Sequence, residues 1–439
     1  MSGDSVDIRI TRLADAASVL GQLQRGRGEG FLAALEMPPA QAADLVWECI
    51  VHDPRYDLQI DSRDLYYATL AQQVGVRVER LRPQNCPTPA PDLDQRLVIG
   101  VLAELVAVGA NGADAALLGH VAHGADWDDA IYEISQSPGD LYRQLPAVLD
   151  ARFPEDECVA IVHRWRYEVP WDQIANVRRW VKRAIDSFDD GPTANESPEP
   201  PPMDRPAAEL LLYPWSRTLP KRLLHRLTVM LRAGERDELI AALETPGPGR
   251  WVAFQALARL DDPGGMSVAE AIVRVDASGP ERAAALRYLK NLSGEHTLTL
   301  ARSWVGESGG RGVAARGVFE RHAEASDLLL LVGGLAEAWE ARDFYALCSF
   351  IDALARLSDP ASAEQIAAIY EEAEYSYARR RAARALVAID EQAFIDRYAR
   401  SALWDCEREI QDLAIGLLGN HVDEVAARQI EAIEGQRIR

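Results

Sequence analysis

Lysine is almost missing from this chain of 439 residues, occurring only at Lys182, Lys221 and Lys290. Nearly all positive charge is therefore arginine. A GC-rich coding sequence explains that bias, and selection for bidentate contacts is the functional alternative. Positive charge as a whole is in deficit: Lys and Arg total 47 against 68 Asp and Glu, a formal net charge of −21. A nucleic-acid binder needs a basic face to neutralise phosphates. The balance here therefore argues against DNA or RNA, and against an anionic membrane surface as well. A basic partner protein fits, as does acidity serving solubility. Aromatic residues make up 7%, which is thin for a β-sandwich or barrel. The five cysteines, Cys49, Cys86, Cys158, Cys348 and Cys406, are widely spaced with no CxxC pair. They imply no disulfide framework and no zinc site, and they fit a reducing cytoplasm. No apolar run approaches the roughly 18 residues of a membrane span; "LLLLVGGLA" at Leu328 to Ala336 is half of that. Met1 to Ile10 carries Asp4, Asp7 and Arg9 and does not read as a signal peptide.

What the chain has instead is alanine-rich helical phrasing that returns. Ala256 to Pro263 reads "ALARLDDP" and Ala353 to Pro360 reads "ALARLSDP". Arg381 to Asp390 is a third version, and "AALRYLKNLSG" around Leu289 and Leu292 is a fourth. The closing apolar positions Leu260, Leu292, Leu357 and Ile389 are 32, 65 and 32 residues apart. That is one period of about 32, with a degenerate copy near Phe319 to Glu324. A fixed period of this size predicts stacked helical hairpins, an all-α solenoid.

Asp189 to Pro206, "DDGPTANESPEPPPMDRP", holds six prolines and little apolar content, so it reads as a linker. It divides the chain into an irregular N-terminal helical module, 1–188, and a C-terminal repeat array, 207–439. In the first module helices are predicted over Ala40 to Val51, Ser62 to Val74, Leu93 to Ala107, Ala113 to Val121, Leu141 to Asp150, Glu155 to Tyr167 and Trp171 to Phe188. In the second, seven hairpins run from Lys221 to Ile433, with Asp-Pro, Ser-Gly and Gly-Gly turns that stop one helix and cap the next.

The phrase "RRAARALVAIDE", with "ALARLDDP" and "ALARLSDP", resembles the short HEAT repeats of the phycobilin-lyase-like type. Arg381, Ala382, Ala385, Leu386 and Ile389 match one copy; Ala256, Leu257, Leu260, Asp262 and Pro263 match another that lacks the opening arginine. The likeness covers about 220 residues well and the N-terminal half loosely. It implies an armadillo-like α-α superhelix. HEAT arrays serve scaffolds, regulators and a few enzymes, so the resemblance is nearly silent on function.

Two clusters stand out as partner-binding candidates. The first contains His52, Arg55, Tyr66 and Tyr67, where the repeat pattern fails; its plain alternative is a capped interhelix turn. The second contains Tyr370, Tyr375, Tyr377, Arg379 and Arg380, with Trp404 and Asp405 in the same relative place one repeat later. Aromatics and arginines dominate interface hot spots; the plain alternative is repeat packing with a charged ridge. His120-x-x-His123 with Asp126, Asp128 and Asp129 has metal-ligand residue types, but Gly124 interrupts the helix and a solvated helix end is the better reading. "GGRG" at Gly309 to Gly312 reads as a turn. No catalytic motif or cofactor loop is found. The sequence therefore predicts a cytoplasmic, non-enzymatic scaffold or adaptor without a cofactor, binding a protein partner through the second helices of the array. A HEAT-like DNA glycosylase and a tetrapyrrole-lyase-like protein are the alternatives.

Overall fold

The computed structural model describes residues 13–52, 61–86, 96–174, 177–188, 202–213, 215, 221–275, 279–419 and 422–437. The protein is all-α: 75% is helix, with no strand among the described residues. No helix there is long and apolar enough to cross a membrane. Chain contacts group Met1–Asn195, Glu371–Arg380 and Gln392–Arg439 into one compact unit, and Glu196–Tyr370 with Arg381–Glu391 into another. Residues 189–201 of the expected linker lie outside the described ones. The grouping differs from a simple division into 1–188 and 207–439, because the end of the chain belongs with the N-terminal unit. Hydrogen bonds show why: Cys406 N donates to the Gly26 carbonyl at 2.8 Å, and Ser62 N to the Cys406 carbonyl at 3.0 Å.

In the first unit the N-terminal helices are α1 (Val19–Gln24), α2 (Gly28–Glu36), α3 (Pro39–Val51), α4 (Arg63–Val74), α5 (Arg96–Ala107), α6 (Ala113–His123), α7 (Trp127–Gln136), α8 (Leu145–Arg152), α9 (Glu155–Arg164) and α10 (Arg178–Phe188). Helix α4 ends at Gly75, whose φ of 79° supplies the left-handed cap that other residues adopt at a cost. Helix α5 is apolar nearly all round and is the most enclosed, packing on both α4 and α6. Helices α1, α2 and α7 escaped sequence reading. In α7 the half-buried acids Asp128, Asp129 and Glu133 mask an inward stripe of Ala130, Ile131 and Ile134.

The second unit opens with α11 (Ala207–Leu212), α12 (Lys221–Arg226) and α13 (Glu235–Ala242). The helix expected over Lys221 to Ala233 stops at Arg226, whose side chain turns back onto the Met230 carbonyl and Glu235. Then come α14 (Pro248–Arg259), α15 (Met266–Arg274), α16 (Pro280–Asn291), α17 (Glu295–Trp304), α18 (Gly310–His322), α19 (Leu328–Glu340), α20 (Phe344–Leu357) and α21 (Ala363–Glu372). Helix α14 packs on α16, α16 on α18 and α18 on α20, while α15, α17 and α19 each pack on the helix that follows.

The repeated phrases fold alike. Asp261 and Ser358 both take the left-handed conformation, at φ 52° and 50°. The next residues, Asp262 and Asp359, each accept a backbone N–H two positions on, at 2.9 and 2.8 Å, opening a short 3₁₀ turn at the proline. Helices α14, α16, α18 and α20 and then α22 (Ser376–Ile389) end at Arg259, Asn291, His322, Leu357 and Ile389, at intervals of 32, 31, 35 and 32 residues. Polar contacts bridge equivalent places. Ser293 N reaches Asp261 Oδ1 at 2.8 Å, Lys290 Nζ reaches Glu320 at 2.7 Å, and Tyr288 donates to the Asp262 carbonyl at 2.6 Å.

The chain returns to the first unit with the start of α22, then α23 (Glu391–Phe394), a π turn at Ile395–Ala399, α24 (Arg400–Ala402), α25 (Arg408–Leu418) and α26 (Glu424–Arg437). The helix expected over Ala393 to Leu403 is thus one continuous helical run with a π turn inside it.

Candidate functional site

The densest polar chemistry lies in the first unit, where a loop of alternating arginine and glycine, Gln24 to Gly28, runs between α1 and α2. The backbone of this loop is held on every side. Arg63 Nη1 donates to the Gln24 carbonyl at 2.8 Å, Arg379 Nη1 to the Arg25 carbonyl, Cys406 N to the Gly26 carbonyl, and the Tyr66 hydroxyl to the Arg27 carbonyl at 2.9 Å. The loop's own side chains reach outward: Arg25 Nε donates to the Glu372 carbonyl at 2.7 Å and Arg27 Nη1 to that of Glu371 at 2.8 Å.

Glycine is required by space here. A Cβ on Gly28 would lie 1.8 Å from the Ser401 carbonyl oxygen. One on Gly26, which sits at φ 68°, would lie 2.3 Å from Cys406 Sγ. Residues near both ends of the chain are thereby brought to one point.

Charge is concentrated and enclosed. Arg379, with no exposed surface, pairs with Asp405 at 3.0 Å. Arg63 pairs with Asp61 at 3.2 Å. Asp405 Oδ1 also accepts Glu407 N at 2.9 Å. Burial raises the Asp405 carboxyl above its usual range, and the Arg379 charge opposes this in part. Glu407 is pushed up to about 7 by burial and by the neighbouring Asp405, against the pull of Arg379 and Arg380. Its Oε2 has no hydrogen-bond partner. Burial also drives the Cys406 thiol and the Tyr66 phenol up, so neither is an ionised nucleophile at neutral pH.

The residues singled out from sequence divide accordingly. Tyr66, Tyr67, Tyr375, Arg379, Trp404 and Asp405 are all buried. They were candidates for partner binding, with packing or a capped turn as the plain alternative, and burial gives them internal contacts. Tyr67 donates to the Leu23 carbonyl at 2.7 Å. Tyr370, in α21 of the second unit, is 1% exposed. Tyr377 and Arg380 lie nearer the surface, with the Arg380 guanidinium 3.7 Å from the ring centroid and 2.5 Å from Glu409. His52 sits 3.0 Å from Glu48 one turn earlier. Arg55 lies outside the described residues. The structure therefore joins Tyr66 and Tyr67 from the first cluster to Arg379, Trp404 and Asp405 from the second.

Sequence reading missed Arg25, Gly26, Arg27 and Gly28. The available signal was "QRGRGEG" itself, two arginines alternating with glycines between two apolar stretches. His120 also differs from expectation. It is fully buried, its Nε2 is 2.8 Å from the Leu81 carbonyl, and burial lowers its pKa. It is a core histidine rather than part of a solvated helix end. Among the described residues, no three His, Cys, Asp or Glu side chains come together as a metal site. At "GGRG", Gly309 precedes α18 with φ 77° as a turn.

No family model matches the chain, and neither a curated protein nor a solved structure matches it.

Proposed function

We propose that the protein is a non-enzymatic helical-repeat scaffold of the HEAT type, acting in the cytoplasm by binding a protein partner. The observation that carries this reading is the recurrence in the second unit. Two copies of one phrase adopt the same left-handed residue, aspartate cap and proline turn, and successive first helices pack side by side at intervals near 32 residues. Elements that repeat this way build extended surfaces rather than a single pocket. Burial of the aromatic and arginine candidates moves the proposed contact surface elsewhere. Helix α19, a second helix, carries Leu329 at 86% exposure with Leu330 beside it. Apolar side chains this exposed are suited to a partner's apolar face. The acidic balance of the chain favours a partner whose rim is basic.

The nucleic-acid alternative gains no support from four arginines that are engaged with acids: Arg379 with Asp405, Arg380 with Glu409, Arg397 with Glu371 and Arg400 with Asp423. The test is affinity capture with the intact chain and with Leu329→Glu/Leu330→Glu, both positions being outside the core. The scaffold reading expects one dominant protein that is lost with the double variant while the helical circular dichroism is unchanged. Capture of nucleic acid or a coloured small molecule, with no protein, contradicts it.

A further inference from the structure

In the first unit a cleft of about 120 Å³ opens between α2, α4 and the last two helices. Its inner wall is formed by Phe31, Tyr66 and Trp404, all buried, together with Asp405, whose charge is met by Arg379. Its rim carries Arg408, Gln411 and Gln429. The two amides are anchored: Gln411 Nε2 donates to the Asp405 carbonyl at 2.7 Å, and Gln429 Nε2 to the Leu403 carbonyl at 3.2 Å. Arg408 is the exception among nearby arginines. Arg379, Arg380, Arg397, Arg400 and Arg428 each hold a carboxylate. Arg408, exposed at the rim, has no carboxylate within 4.0 Å among the described residues. In a chain of net charge −21, Arg408 is the one cation among the cleft's described lining residues, and the acid its charge acts on is Glu104, beyond ion-pair distance.

We propose that this cleft binds a small organic acid: one carboxylate on a compact planar apolar group. The guanidinium fork matches a carboxylate bidentately. The aromatic wall takes a ring edge-on or offset. The amide oxygens accept from a hydroxyl or amino substituent. The cleft is small, about 120 Å³, with room for several ordered waters, which suits a ligand built on a single ring. This site is independent of the scaffold reading, whose surface is on α19.

The test uses the full chain and calorimetric titration with benzoate, with benzamide as its uncharged counterpart. For a ligand this small a dissociation constant of about 1 mM is expected. Benzoate should bind and benzamide should bind at least ~10-fold more weakly. Arg408→Gln, an exposed position that leaves the fold intact, should weaken benzoate about 10- to 100-fold. Arg428→Gln, another exposed arginine, should leave it unchanged. Equal binding of benzoate and benzamide overturns the proposal, as does wild-type affinity in Arg408→Gln. Failure of benzoate where a short peptide ending in phenylalanine binds also overturns it, in favour of chain-end recognition.

Discussion

In the second unit Arg226 meets Glu235 at 2.5 Å, and the same carboxylate accepts Arg232 N at 2.7 Å and Ala207 N at 3.1 Å. In the first unit Arg379 meets Asp405 at 3.0 Å, with Asp61 and Glu407 close by. Both pairs are buried, yet the acids respond in opposite senses. Glu235, hydrogen-bonded first of all by Arg226, is lowered to about 2. Asp405 is raised, and Glu407 beside it is raised to about 7. At Asp405 burial is the largest cause and outweighs the Arg379 charge, whereas at Glu235 the Arg226 hydrogen bond outweighs burial. Glu235 receives three sets of N–H groups and fastens α11 to α13. The first unit crowds several acids around fewer donors, because its arginines are also spent on the carbonyls of the Arg–Gly loop. One pair is a local staple within adjacent helices. The other ties segments of the chain some 350 residues apart in sequence, as the Arg379 bond to the Arg25 carbonyl shows.

The largest effects should come from breaking either pair. Arg379→Ala and Arg226→Ala each strand a buried carboxylate and should cost about 3–5 kcal/mol, read by denaturant unfolding. The comparison predicts that each variant loosens its own unit first, which proteolysis mapped by mass spectrometry will resolve. Gly28→Ala should cost about 1–3 kcal/mol, because its Cβ meets a backbone oxygen that cannot swing aside. Gly279→Ala, with open space around its Cβ, should cost far less.

Acidity sharpens the contrast. Glu407 binds its proton more tightly folded than unfolded, so its contribution is fully present below pH 4.5 and is lost as pH rises through 7. Asp405, Asp61, Arg379 and Arg380 are the charges that face it. Glu133, raised to about 7 by burial and by Asp64, Glu104 and Asp129, behaves alike. Lowering pH from 8 to 6.5 should therefore stabilise the first unit by roughly 1 kcal/mol through Glu407, and by less through Glu133, which solvent screens in part. Glu235 has the opposite sign: its contribution is present above pH 4.5 and is lost as pH falls toward 2. Glu407→Gln should flatten the neutral-pH response. The smallest effect belongs to the repeat turns, where Asp359→Ala removes one cap and should cost about 1 kcal/mol in thermal unfolding.

The second unit was the more legible in sequence, for a physical reason. Its contacts are between neighbours, so the positions of Leu260, Leu292, Leu357 and Ile389 carry the helix ends directly, and Asp-Pro carries the turn. Even the degenerate copy near Phe319 ends a helix, at His322. The first unit depends on a contact between distant segments that no local pattern encodes. Tyr66, Arg379 and Asp405 were recognised as unusual, but their polar and aromatic character suggested a surface. Burial and hydrogen bonding make them internal struts, and nothing in their spacing reveals that Gly26 and Gly28 lie against Cys406 and Ser401.

The central claim is that the Arg–Gly loop holds the two ends of the first unit together. Hydrogen exchange on wild type and Arg379→Ala tests it most directly. The account predicts that peptides covering residues 19–36, 61–74 and 400–418 lose protection together in the variant, while those covering 248–275 keep theirs. Loss confined to the peptides around Arg379 itself, with 19–36 and 61–74 unchanged, would contradict it.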